Sequence, residues 1–207
     1  MKVLFVNGSG HKNGTTMTAF NDMIKVFEEA GVETEVFQLG NKPVADCMGC
    51  GACGKLGKCC IEDDQVNEFV AKAAEADGFV FGTPVYYAHP SGRVLSFLDR
   101  AFCSGSKHMA FKPGCSVAVA RRGGCSASFD ALNKYFGISQ MPVAGSTYWN
   151  SVHGAVAEDA PKDEEGMQTM RNLARNMIWL MKSIEAGKAA GVELPATERS
   201  FKTNFVR

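Results

Sequence analysis

Apolar residues recur along the chain with two alternating periods. Lys2–Asn7 is a short β-branched and aromatic run, and Glu33–Leu39 alternates apolar and polar positions, so both predict strands. Gly78–Gly82 is a continuous apolar run fit for a parallel strand buried on both faces. Ser116–Ala120 and Met141–Tyr148 predict a fourth and a fifth strand. Between the strands the period becomes helical. Gly14–Ala30 places Met17, Phe20, Met23, Ile24 and Phe27 on one face, and Asp64–Glu75 does the same with Val66, Phe69, Val70 and Ala73. Ser91–Cys103 turns Val94, Leu95, Leu98 and Phe102 inward; Ser126–Phe136 and the long Lys162–Ala186 complete the helices.

Strands that alternate with helices from end to end predict an α/β domain. Its sheet is parallel, five-stranded and doubly wound, covered by helices on both faces to make three layers. With strand order 2-1-3-4-5, a ligand sits beyond the carboxyl ends of the strands. That rule points to Gly8–Thr16, Thr83–Ser91, Arg121–Ser126 and Tyr148–Gly154. Residues 1–186 read as one domain with a cysteine-rich loop at 46–63, and residues 187–207 as a polar, irregular tail.

Composition adds two facts. Formal net charge is zero, so the chain has no field to concentrate nucleic acid or anionic lipid, and neither partner is expected. No apolar stretch approaches the roughly 20 residues of a membrane span. The first apolar run is too short for a signal-peptide core, so a cytoplasmic protein is expected. The eight cysteines change the picture more. Cys47, Cys50, Cys53, Cys59 and Cys60 crowd one loop, which in a reducing compartment speaks of metal or redox chemistry rather than disulfides. Cys103, Cys115 and Cys125 are expected as small core residues.

The loop Gly8-Ser9-Gly10-His11-Lys12-Asn13-Gly14-Thr15-Thr16 joins strand one to a helix. Its glycines permit a tight turn, its hydroxyls add donors, and the helix start offers unpaired N–H groups, a site suited to a phosphate monoester. It is not a P-loop, because Lys12 precedes Gly14 instead of following it. Nor is it a dinucleotide fingerprint, because Asn13 holds the place of the third glycine and strand two ends in Gln38-Leu39 without an acid. The spacing Cys47-x2-Cys50-x2-Cys53-x5-Cys59 suits a compact cubane cluster better than zinc, whose structural sites use two separated pairs. A loop of free thiols is the other reading, and Cys60 could replace Cys59.

Four motifs in order resemble one family: the loop 8–16, the cysteine run ending Gly57-Lys58-Cys59, Phe81-Gly82-Thr83-Pro84-Val85-Tyr86-Tyr87, and Phe97-Leu98-Asp99-Arg100. Over about residues 1–150 the chain is similar to the NAD(P)H-dependent FMN reductases and iron–sulfur flavoproteins. The resemblance implies a flavodoxin-like fold and bound FMN. It assigns the FMN phosphate to Ser9, His11, Asn13, Gly14, Thr15 and Thr16, with His11 where relatives often carry Arg. It lays Pro84, Val85, Tyr86 and Tyr87 along the flavin ring. A third loop with Arg121, Gly123 and Gly124 would approach the ring, the cation stabilising charge on reduced flavin. Cys47, Cys50, Cys53 and Cys59 match the family's [4Fe–4S] ligands. No side chain is expected to act as acid or base. The implied activity is NAD(P)H oxidation with electrons passed to a quinone-like or other small acceptor. The alternative is an FMN/[4Fe–4S] electron carrier between redox proteins. The resemblance also implies a homodimer or homotetramer.

Overall fold

In a computed structural model, residues 1–203 and 205 are described. The parallel strands are β1 (Lys2–Asn7), β2 (Glu33–Gln38), β3 (Gly78–Tyr86), β5 (Gly114–Ala120) and β6 (Ser151–His153), and a two-residue β4 (His89–Pro90) folds back on β3. Their order is β2-β1-β3-β5-β6, every neighbouring pair parallel. With the short β4 set aside, this is the expected flavodoxin-like 2-1-3-4-5 order.

Alternation along each strand divides the core in two. Val3 and Phe5 of β1 face α1 (Thr15–Glu29) and α6 (Glu164–Ala189), in a layer with Phe20, Phe27, Met170 and Met177. Leu4 and Val6 face the opposite layer, built from α3 (Val66–Glu75), α4 (Gly92–Gly105) and α5 (Cys125–Ile138). Phe69 is the centre of that layer, in contact with Phe37, Phe79, Phe81 and Phe97. Removing a fully buried aromatic of this kind costs about 3–5 kcal/mol. Helix α4 starts where Ser91 accepts a hydrogen bond from the Val94 N–H at 3.3 Å, a serine N-cap.

The fifth strand differs from its prediction. Residues 142–144 do run beside β5, with Gly114 N–H donating to Pro142 O and Ala144 N–H to Gly114 O, both at 2.9 Å. The chain then leaves the sheet at Gly145-Ser146 and returns as β6, where Val152 is buried. Tyr148 and Trp149 therefore precede the edge strand and project outward, 60% and 58% exposed, instead of following it. Strand β3 runs beyond Gly82, pairing Thr83 and Pro84 with Ala118 and Val119. A one-turn helix, α2 (Cys53–Leu56), forms inside the cysteine loop. Helix α6 continues to Ala189, past the expected boundary at 186. From 190 onward the described residues form no helix or strand, and Asn204, Val206 and Arg207 of the tail lie outside the described residues. Among the described residues no helix is long and apolar enough to cross a membrane.

Candidate functional site

At the carboxyl end of β1, Asn7 and Gln38 fix the glycine-rich loop from beneath. The Asn7 carboxamide oxygen accepts from the Ser9 N–H at 3.0 Å and its Nδ2 donates to Gln38 Oε1 at 2.8 Å. Gln38 Nε2 in turn donates to the Ser9 carbonyl at 2.7 Å. Ser9 Oγ accepts from the His11 N–H at 3.1 Å, and Gly14 N–H donates to His11 O at 3.3 Å. The loop is thus shaped by its own bonds. Helix α1 then begins behind Gly14, which brings no capping side chain, and its first turn holds no acidic residue. Its leading N–H groups are left for a ligand, at the positive end of the helix dipole.

The second wall is the end of β3. Thr83 Oγ1 donates to the Pro84 carbonyl at 2.9 Å and accepts from the Ser91 N–H at 3.0 Å. The chain reverses through Tyr87 (φ 49°) and Ala88 (φ 63°) before β4. A two-residue hairpin with both central residues at positive φ ordinarily takes Asn-Gly. Ordinary side chains there hold strain of the order of 1 kcal/mol each. The third wall follows β5. Gly124 has φ 100°, and a Cβ on it would stand 2.5 Å from Ala88 Cα and 2.7 Å from Val85 Cγ1. The third loop therefore rests directly on the hairpin, and only glycine permits that contact.

These walls enclose a cleft of about 820 Å³. Ser9, His11, Asn13, Gly14, Thr15 and Thr16 line one side, with Pro84, Val85, Tyr86 and Arg121 across from them. Gly154–Ala157, just after β6, close the rim, and of these residues the sequence pointed only to Gly154. Tyr87 is fully exposed, and Gly123 and Gly124 are not part of the lining. Lys12 and Arg121 bring cations, and no carboxylate stands among the lining residues. Size, uncapped helix start and charge fit a flavin mononucleotide.

The rim is tied to the last helix. Asp163, the N-cap of α6, accepts from the His153 N–H at 2.7 Å, from the Gly166 N–H at 2.9 Å and from the His153 ring at 3.1 Å. Burial opposes its charge, but these donors outweigh that and hold its carboxyl below the usual range. The imidazole Nε2 lies 4.0 Å from Cys125 Sγ. Burial, with Asp163 adding to it, pushes that thiol up to about 11.

A second pocket, about 230 Å³, lies in the cysteine loop. Cys47, Cys50, Cys53 and Cys59 all line it, and so do Cys60 and Cys103. Cys103 is exposed on α4, and its expected place in the core is corrected; Cys115 and Cys125 are buried as expected. Cys50 and Cys60 sulfurs are 3.6 Å apart. The Ala52 backbone N–H, then Cys60, hold the Cys50 thiol below its ordinary value, while Cys50 pushes Cys60 up. Among the described residues no three Cys, His, Asp or Glu side chains converge as ligands of one metal ion. A cubane cluster instead takes one thiolate at each iron, so its ligands stand around a volume and not a point. Four thiols around a pocket with no carboxylate in its lining and a buried arginine fit such an anionic group. That arginine is Arg100, 1% exposed. Its place in Phe97-Leu98-Asp99-Arg100 reveals no role by itself; the available signal was a charge on the same helical face as Phe97 and Cys103.

Residues 1–155 match the family model described as NADPH-dependent FMN reductase. An iron–sulfur flavoprotein from Methanocaldococcus jannaschii is 33% identical over 196 residues, covering 89% of this chain and 100% of the relative. An iron–sulfur flavoprotein from Methanosarcina thermophila is 28% identical over 193 residues, covering 91% of this chain and 99% of the relative. Among solved structures, a flavone reductase superposes with a TM-score of 0.68 at 19% identity, over 89% of this chain and 64% of that protein, a likeness of fold.

Proposed function

The chain belongs to the NADPH-dependent FMN reductase family, and from that premise we propose that it oxidises NAD(P)H through FMN and delivers the electrons to a quinone-like or other small acceptor. The observation that carries this reading is the cleft, where the phosphate loop, the end of β3 and Arg121 meet at the carboxyl ends of three strands. FMN, when bound, supplies hydride acceptance and electron release in one or two steps. The protein's part is to bind and orient. The α1 first turn, Ser9, Thr15 and Thr16 hold the phosphate, with His11 and Lys12 beside it. Pro84 and Val85 support the ring, Tyr86 flanks it and Arg121 stabilises negative charge. No side chain needs to move a proton.

A second reading has its own observation. Six thiols surround one pocket, and four of them (Cys47, Cys50, Cys53 and Cys59) would hold a [4Fe–4S] cluster. In that case the chain carries electrons between redox proteins, as a homodimer or homotetramer in a reducing compartment where thiols persist.

The test is protein purified without oxygen. Flavin absorbance that NADPH bleaches is expected, and roughly four irons per chain accompany it under the second reading. Steady NADPH oxidation with menadione, unmatched by any protein acceptor, supports the first reading. Bleaching without turnover on small acceptors selects the second. Protein that binds no flavin in either state sinks both.

A further inference from the structure

Among the described residues, Arg100 is the one side chain that reaches both ends of the cysteine loop and one of its sulfurs. Its five N–H groups are all engaged. One terminal nitrogen, Nη1, donates to the Ala45 carbonyl at 3.2 Å and to Asp64 Oδ2. The other, Nη2, donates to the Ile61 carbonyl at 3.0 Å and to Asp64 Oδ1 at 3.1 Å. The remaining proton, on Nε, points at Cys59 Sγ at 3.2 Å. Cys59 is pinned from the other side: its N–H donates to Asn67 Oδ1 and its carbonyl accepts from Asn67 Nδ2, both at 2.9 Å. Asp64 is held too, since its Oδ1 also accepts from the Val66 N–H at 3.1 Å.

A buried ion pair is a costly way to anchor a loop, because apolar side chains of similar volume often do as well. The pair gains something else here. Asp64 balances the guanidinium charge, so what Cys59 meets is a fixed N–H dipole held in place by a rigid fork. Hydrogen bonds to ligand sulfurs favour the reduced, more negative state of an iron–sulfur centre. We propose that Arg100 is a positioning residue that sets the reduction potential of a cluster bound through Cys59, by donating its Nε–H to that sulfur while it ties Ala45 and Ile61 together. This rests on the reading of the cysteine pocket as a cluster site.

The experiment is a redox titration followed by electron paramagnetic resonance, with the flavin couple as internal reference. Two proteins isolate the contact. Asp64→Asn keeps the guanidinium and the Val66 cap. Arg100→Met combined with Asp64→Asn removes the pair together and leaves no unbalanced charge. The double variant, which matches the wild type in charge, is expected to shift the cluster at least tenfold toward the oxidised form relative to the wild type, about 59 mV for one electron, with the flavin couple unmoved, whereas Asp64→Asn, which keeps the donor, does not shift it that way. Arg100→Lys, which keeps the charge beside Asp64 but lacks the fork, should shift it the same way by less. A cluster held at wild-type iron content with its midpoint unchanged in these variants overturns the proposal. So does loss of iron from every Arg100 variant with the thermal transition intact, which would leave Arg100 a loop anchor alone. If the wild-type protein carries no iron, the cluster reading itself fails, and that is seen before any variant is made.

Discussion

Thr15 opens α1 directly over the loop that Asn7 and Gln38 hold in place. A carboxylate there would face the N–H groups proposed to hold the FMN phosphate. Thr15→Glu should weaken FMN binding at least about a hundredfold, roughly 3 kcal/mol, as read by quenching of flavin fluorescence. Unchanged affinity would place the phosphate elsewhere. That Ser9, Thr15 and Thr16 would line one cleft was legible in the sequence, because a glycine turn before a helix marks its own place at a strand end. Arg100 and Cys103 were not. An arginine on a helix says nothing until the fold brings Ala45, Cys59, Ile61 and Asp64 to it. An isolated cysteine looks like any small core residue until its neighbours are seen.

Helix α1 and strand β3 meet without a spacer. A Cβ on Gly82 would stand 2.3 Å from Phe20 Cζ and 2.9 Å from Thr16 Cγ2. Gly82→Ala must therefore push the first turn of α1 off the sheet. Overpacking of this sort costs about 1–3 kcal/mol. It should lower the urea midpoint and loosen FMN together, because the displaced turn is the proposed phosphate site. A stability loss with flavin affinity unchanged would mean that the turn and the ligand are independent. Most elements were readable because their apolar period is strong over many residues. The edge strand was not. Met141, Val143 and Ala144 carry a strand pattern, and only the turn at Gly145-Ser146 marks where pairing stops. The three-residue β6 is too short to show a period of its own. The same detour moved Tyr148 and Trp149 away from the strand ends where ligands bind.

Two buried thiols link the whole fold to pH. Burial raises Cys115 and Cys125, the latter to about 11, from an ordinary value of 9.0. Both are neutral when protonated, so the folded state keeps its protons longer than the unfolded chain. The contribution of Cys125 is complete below about pH 9 and is lost as pH climbs through about 11, while that of Cys115, raised further by burial, goes on falling above that. Cys125 alone is worth roughly 2 kcal/mol over that window. The urea midpoint should fall between pH 8 and 11, and less so in Cys125→Ala. A flat profile would show that these thiols ionise in the folded protein at no cost. The two core layers and the cleft share the sheet, whereas the cysteine loop is joined to it chiefly through Arg100 and Asn67. Because Arg100 gathers the carbonyls of Ala45 and Ile61, the chain between them is a closed ring whose circumference is nearly free. Each doubling of such a loop costs only about 0.6 kcal/mol in closure entropy. Insertions among the cysteines can therefore accumulate without disturbing the cleft, and the loop and the cleft can evolve on separate clocks.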